Sequence, residues 1–147
     1  MIRTLTSPAP ALAQDAALLL LRLATGVALI AHGWQKAVTD GPTSTAAGFE
    51  RLGIPLAELS AWFAIVVEVG GGVLLLLGLL TPLVGLLVAA VMAGAFWFVH
   101  RGTEVLVAEG GWEYVAVLGG IALVLAAVGP GRFSVDAALR ATARSAT

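Results

Sequence analysis

Apolar positions fall into four long runs with short polar breaks between them. The runs are Ala16–Lys36 (AALLLLRLATGVALIAHGWQK), Leu56–Leu80, Leu83–His100 (LVGLLVAAVMAGAFWFVH) and Trp112–Gly129 (WEYVAVLGGIALVLAAVG). Each reaches the roughly 17–25 residues a helix needs to cross a bilayer, the last two with little to spare. Period-two alternation is missing, and Leu and Ala dominate, which argues against strands. A helix also satisfies its own backbone groups in hydrocarbon. The pattern predicts an all-α fold: a polytopic membrane four-helix bundle with spans over 16–36, 56–80, 83–100 and 112–129.

The breaks fit this reading. Thr81-Pro82 separates the second and third runs so tightly that they form an antiparallel hairpin, with Pro82 in a first helical turn where its missing N–H is harmless. The longer break, AVTDGPTSTAAGFERLGIP, has room for a short interfacial helix over Ser44–Leu52, stopped by Gly53, with Phe49 and Leu52 at the membrane surface. Around the bundle (16–130), residues 1–15 are expected to be a flexible N-terminal tail and 131–147 a cytoplasmic C-terminal tail with an amphipathic turn or two near Val135 and Leu139. APALAQDA looks like a signal-peptidase site, but no apolar core precedes it.

Composition strengthens the membrane reading. The 147 residues are 59% hydrophobic and 12% charged, and mean hydropathy is +0.98. Soluble domains run about 45–50% apolar and about 25% charged. The 8 basic and 9 acidic residues, 17 in all, cannot coat four helices with a polar face. A net charge of −1 gives no reason to expect a nucleic-acid partner. The chain has no cysteine, so thiol redox steps and iron–sulfur ligation by this chain are excluded. Arg3, Arg132, Arg140 and Arg144 lie in the tails against Arg51 and Arg101 in the opposite loops, which favours both termini in the cytoplasm of a bacterial inner membrane.

The ionisable residues inside the runs are the candidate chemistry. Glu68 lies near the middle of the second run, Arg22 in the inner third of the first, and His32, Lys36, His100 and Glu113 in the outer quarter. A charge at the bilayer centre costs about 2.5–3.5 kcal/mol on insertion scales unless it is paired or neutralised. Arg22, His32 and Lys36 are the possible partners of Glu68. Arg22 and His32 are about 15 Å apart along a helix, too far for Glu68 to serve both. Small-residue stripes (Ala57, Ala61, Ala64 and Gly71 beside Glu68; Gly85, Ala89 and Ala93 beside His100) are expected to face the bundle axis and carry these groups inward. Trp34 and Trp97 gather at the same level, where indoles settle at the interface or line an apolar slot. Each group also has a purely structural reading: a register-fixing ion pair for Glu68 or Arg22, interfacial anchoring for Lys36, a first-turn carboxylate for Glu113.

Four stretches together resemble the DoxX family of small four-span bacterial membrane proteins: LRLATGVALIAHGWQK, GFERLGIP, EVGGGVLLLLGLLTPL and GPGRFSVD. They occur in that order and extend from about Leu18 to Asp136. The resemblance implies a part in a membrane-associated oxidoreductase system. The related DoxD proteins are described as subunits of a thiosulfate:quinone oxidoreductase. The positions carried over are His32, Lys36, Glu68, Arg132 and Asp136.

Three functions are compatible with these residues. One is a redox-linked subunit binding a quinone-like ligand, with Glu68 and His32 handling protons and Lys36, His100, Glu113, Trp34 and Trp97 holding the ligand. Another places a haem or metal between His32 and His100. The third is a non-catalytic scaffold docking partner proteins or a second copy of itself.

Overall fold

The computed structural model describes residues 10–145. Helix α1 runs Ala11–Trp34 and continues into a π-helical turn, Gln35–Thr39. Helix α2 spans Pro42–Arg51, α3 Ala57–Leu77 and α4 Thr81–Ala95, which again ends in a π-helical turn, Phe96–His100. After a loop with one 3₁₀ turn, Val107–Glu109, come α5 (Glu113–Val128) and α6 (Val135–Ser145).

The sequence explains most of these limits. Pro42 and Pro82 occupy first turns, where φ is already suitable and no N–H is needed. Gly53 (φ 72°) and Gly78 (φ 66°) take left-handed conformations that stop α2 and α3. Three helical stretches are long and apolar enough to cross a membrane: Ala11–Thr39, Ala57–Leu77 and Thr81–His100. Helix α5 is apolar but has only 16 residues, about 24 Å at helical rise, against roughly 30 Å of hydrocarbon. The fold is thus an all-α polytopic membrane bundle with three long spans, one shorter apolar helix and a short helix, α2, in the first connection.

Two boundaries differ from expectation. Helix α1 begins at Ala11, so residues 11–15 are helical where a tail was expected, and residues 1–9 of that tail lie outside the described residues. The C-terminal segment forms eleven residues of helix, not a turn or two. Phe49 of α2 is half-buried and Leu52 is exposed.

The bundle is built from two tight antiparallel pairs. In the first, α1 meets α3 where Gly26 faces Gly72; a Cβ on either would stand 2.8 Å from the other's carbonyl oxygen. One heptad further along, Gly33 lies against the Glu68 Cβ and the Val69 backbone. In the second, α4 meets α5 with Gly85 against the Ala122 carbonyl and Ala126. Lipid provides no hydrophobic drive for helix association, so close backbone approach at small residues supplies the packing. The pairs join through α3 and α4, with Gly71 against Val84. Leu29, Leu75, Val88 and Leu125 are all less than 2% exposed and fill the axis.

The inward faces were legible on α3 (Ala61, Ala64, Glu68, Gly71) and not on α5. There the small residues Ala116 and Gly120 are exposed with Val117, and the buried line is Val115, Leu118, Ala122 and Leu125. On α4 the buried line runs Thr81, Val84, Gly85, Val88 and Met92, while Ala93 faces outward.

Filling the α1–α3 contact should be costly in a way that local helix propensity would not foresee. Gly72→Val forces a side chain against the Gly26 carbonyl and Ile30 and is expected to destabilise the bundle by roughly 1–3 kcal/mol. Gly70→Val, where an added Cβ meets nothing within 4 Å, should stay within about 0.5 kcal/mol. SDS-titration unfolding of the two variants in micelles compares them directly.

Candidate functional site

The two helix pairs spread apart at the end where α1 and α4 finish. Between them lies a cavity of about 680 Å³, walled by α1, α2, α3, α4 and α5. Most of the wall is apolar, including Leu29, Phe49, Phe63, Met92, Phe98 and Leu118. Its ionisable and hydroxyl groups are His32, Lys36, Ser60, Glu68, His100 and Tyr114.

Lys36 and Glu68 form the charged centre. Lys36 Nζ donates to Glu68 Oε2 at 2.7 Å, and their side chains are 24% and 5% exposed. The geometry follows from the helices. Side chains lean toward the N-terminus of their own helix, so Lys36 reaches back one turn, over Gly33. Because Gly33 has no side chain, α3 comes close enough to present Glu68 beneath it. The π-helical turn then fixes where Lys36 sits: Asp40 N–H bonds to the Gln35 carbonyl, and the Thr45 hydroxyl of α2 donates to the Lys36 carbonyl at 3.1 Å. Such wide turns insert a residue and re-aim side chains, and they recur at functional sites. Here the other π-helical turn ends in His100, which lines the same cavity.

His100 Nδ1 is 3.0 Å from the Gly110 carbonyl oxygen. A carbonyl only accepts, so Nδ1 carries the proton in this bond and Nε2 is the remaining acceptor. His32 is exposed at the cavity wall, and its ring packs on Tyr114 of α5 with centroids 5.5 Å apart. The pair bridges α1 and α5, which otherwise touch little. At its deep end the cavity reaches Leu29, which belongs to the buried apolar core with Leu75, Val88 and Leu125. Among the described residues no group of three or more His, Cys, Asp or Glu side chains could hold a metal ion. A haem or metal would therefore rest on His32 and His100 alone.

Four expected participants lie elsewhere. Glu113 is drawn off into the loop, where its Oε1 accepts the Val107 N–H at 2.8 Å. Trp34 and Trp97 are 58% and 56% exposed and line no part of the cavity. The Arg101 guanidinium covers the Trp97 ring at 4.3 Å. Arg22 is fully buried, but at the opposite end of the bundle, and it forms no direct ion pair among the described residues. It donates to the Phe133 carbonyl at 2.6 Å and lies within the electrostatic reach of Asp136. Asp136 in turn accepts the Leu80 and Thr81 N–H groups at the start of α4, at 3.1 and 3.2 Å. GPGRFSVD thus clamps α1 to the α3–α4 turn, and its Asp136 is a structural cap.

Residues overlooked in the sequence include Gly33 and Tyr114. Gly33 had a signal, since it follows Gly26 by one heptad. Tyr114, the single tyrosine, had none beyond adjoining Glu113.

Fold and site describe a multi-pass membrane protein with an apolar, charge-floored pocket in a helical bundle. The family model described as DoxX matches residues 17–101, more than half of the chain, and the protein belongs to the DoxX family. That match takes in most of α1 and all of α2, α3 and α4, and with them Lys36, Glu68 and both histidines. A Bacillus subtilis (strain 168) protein named "Putative oxidoreductase CatD" is 38% identical over 77 residues, covering 52% of this chain and 54% of that one. The matched region therefore spans about half the length of that relative. No solved structure matches the chain.

Removing Lys36 should leave a carboxylate buried without a partner. Lys36→Met is expected to destabilise the protein toward the lower end of roughly 3–5 kcal/mol, because Lys36 is a quarter exposed. The double variant Lys36→Met/Glu68→Gln should recover most of that loss, since no charge remains buried. A double-mutant cycle of unfolding midpoints in detergent reads the coupling.

Proposed function

We propose that this protein is a membrane subunit of a redox-linked system and that its cavity binds a quinone-like ligand, apolar over most of its surface with a carbonyl oxygen at one end. The observation that carries this reading is the Lys36–Glu68 pair at 2.7 Å on the floor of an otherwise apolar cavity of about 680 Å³. Pockets of roughly 300–1,000 Å³ with a few converging polar groups suit small ligands. The Lys36 ammonium has three N–H donors. One is used by Glu68, which leaves two for a ligand carbonyl. Reducing a quinone to a quinol takes two electrons and two protons. In this scheme the electrons come from a partner oxidoreductase, in keeping with the cysteine-free chain and with the name of the similar Bacillus protein. The protons pass through groups that line the cavity: Glu68, held close to Lys36, and His32. Lys36 and His100 hold the ligand.

In the membrane orientation that belongs to this scheme, α5 is the fourth span, both termini are cytoplasmic and the cavity lies in the outer half of a bacterial inner membrane. Trp34 and Trp97 then anchor the rim at the interface. The buried apolar core lies between the cavity and the Arg22 end, so in this scheme ligand and protons reach the cavity from the outer side or laterally from lipid.

A short-chain naphthoquinone titrated into the detergent-purified protein, read by isothermal calorimetry, tests the reading. Lys36→Met and Glu68→Gln should each weaken binding about tenfold or more, the loss expected of one charge-assisted hydrogen bond. His32→Ala, at an exposed position, should weaken binding with only a small change in the unfolding midpoint, from loss of the Tyr114 contact, and Glu113→Gln should bind as wild type does. Equal affinity across the set, or no binding by the wild-type protein, would remove these residues from any quinone chemistry.

A further inference from the structure

At the opposite end of the bundle a second cavity, of about 480 Å³, opens between α1, the start of α4, the end of α5 and α6. Its lining includes Asp15, Pro82, Gly131, Arg132, Ala137 and Arg140. We infer that this pocket binds a phosphate group, carried by an anionic lipid headgroup or free in solution, through Arg132 and Arg140.

Charge is the first support. Two guanidinium groups against one carboxylate leave the lining net positive. The carboxylate, Asp15, is partly engaged, because its Oδ1 accepts the Arg132 N–H at 2.9 Å. That bond fixes the connector so that Arg132 stays at the pocket, its guanidinium 5.8 Å from the Phe133 ring centroid. The Arg140 guanidinium has no hydrogen bond or ion pair among the described residues. An uncommitted guanidinium offers a planar fork of donors that matches phosphate oxygens.

Position is the second. Ala137 and Arg140 are three residues apart and share one face of α6, and that face looks into the pocket. The floor is made by Ala126, Ala127 and Val128 at the end of an apolar helix. One turn deeper on the same helices, Leu86, Leu123 and Val124 are exposed at 57%, 54% and 47%. A headgroup seated between the arginines would lay its acyl chains on these side chains. Basic pockets at the ends of membrane helices capture lipid phosphates in this way.

The test uses the full chain in phosphatidylcholine nanodiscs doped with phosphatidylglycerol, with native mass spectrometry counting retained lipid. Wild type should retain phosphatidylglycerol over phosphatidylcholine, and Arg132→Gln/Arg140→Gln should lose the preference by about tenfold or more, several-fold for each arginine. Arg140→Lys, which keeps the charge but loses the planar fork, should fall between wild type and the double variant, and Arg101→Gln, at the other end of the bundle, should keep all of it. A parallel arm titrates inorganic phosphate: saturable binding that depends on the same arginines, with no lipid preference, would assign the site to free phosphate. Equal retention of both lipids together with no phosphate binding would overturn the inference, as would a preference that survives in the double variant. Because Arg101→Gln and circular dichroism of every variant accompany the series, loss of fold is distinguished from loss of the site.

Discussion

A carboxylate in the middle of a lipid-embedded bundle needs a partner, and the ion pair between Lys36 and Glu68 is what the upper half of this structure is arranged around. At 2.7 Å and only 5% exposed on the Glu68 side, the pair requires two things of the fold. Helices α1 and α3 must approach closely, which Gly33 allows by leaving room for the Glu68 Cβ. Lys36 must also be aimed downward from the end of its helix, which the π-helical turn and the Thr45 bond to its carbonyl provide. Buried pairs are weak contributors to net stability and costly to break. Such an arrangement is better understood as fixing geometry at a site than as holding the bundle together.

Stability comes instead from the two glycine-mediated helix pairs and the apolar layer between the two ends. The apolar core lies between two polar regions, one toward each end of the bundle. One is the pocket floored by Lys36 and Glu68. The other is the clamp in which Arg22, Phe133, Asp136 and the α3–α4 turn hold one another. Each region contains a basic residue from α1, Arg22 fully buried and Lys36 partly so, and Arg22, Leu29 and Lys36 are spaced by heptads along one stripe. The same helical face thus presents a cation to each end and a leucine to the apolar core between them.

Membership of the DoxX family rests on α1 to α4, the part of the chain that makes most of the cavity wall. Helix α5 completes that wall with Tyr114, Val115 and Leu118. The connector after α5 carries Arg132 and Asp136, and the structure separates their surroundings. Asp136 caps α4, whereas Arg132 faces the pocket at the basic end.

Read alone, the residues determined that the protein is helical and lives in lipid, because run length and apolar content depend on composition along the chain. They also determined that Glu68 would need a cation, because an unpaired carboxylate in hydrocarbon is too costly. The choice of Lys36 over Arg22 belonged to tertiary structure: Lys36 and Arg22 share a stripe, and only the antiparallel register of α1 on α3, set by Gly26 and Gly72, puts one of them over Glu68. Which of their two readings Glu113 and the tryptophans follow was open for a related reason. Local spacing gives the depth of a residue, but its direction on a nearly all-apolar helix such as α5 is set by what packs against it, and lipid and protein neighbours look alike in such a sequence.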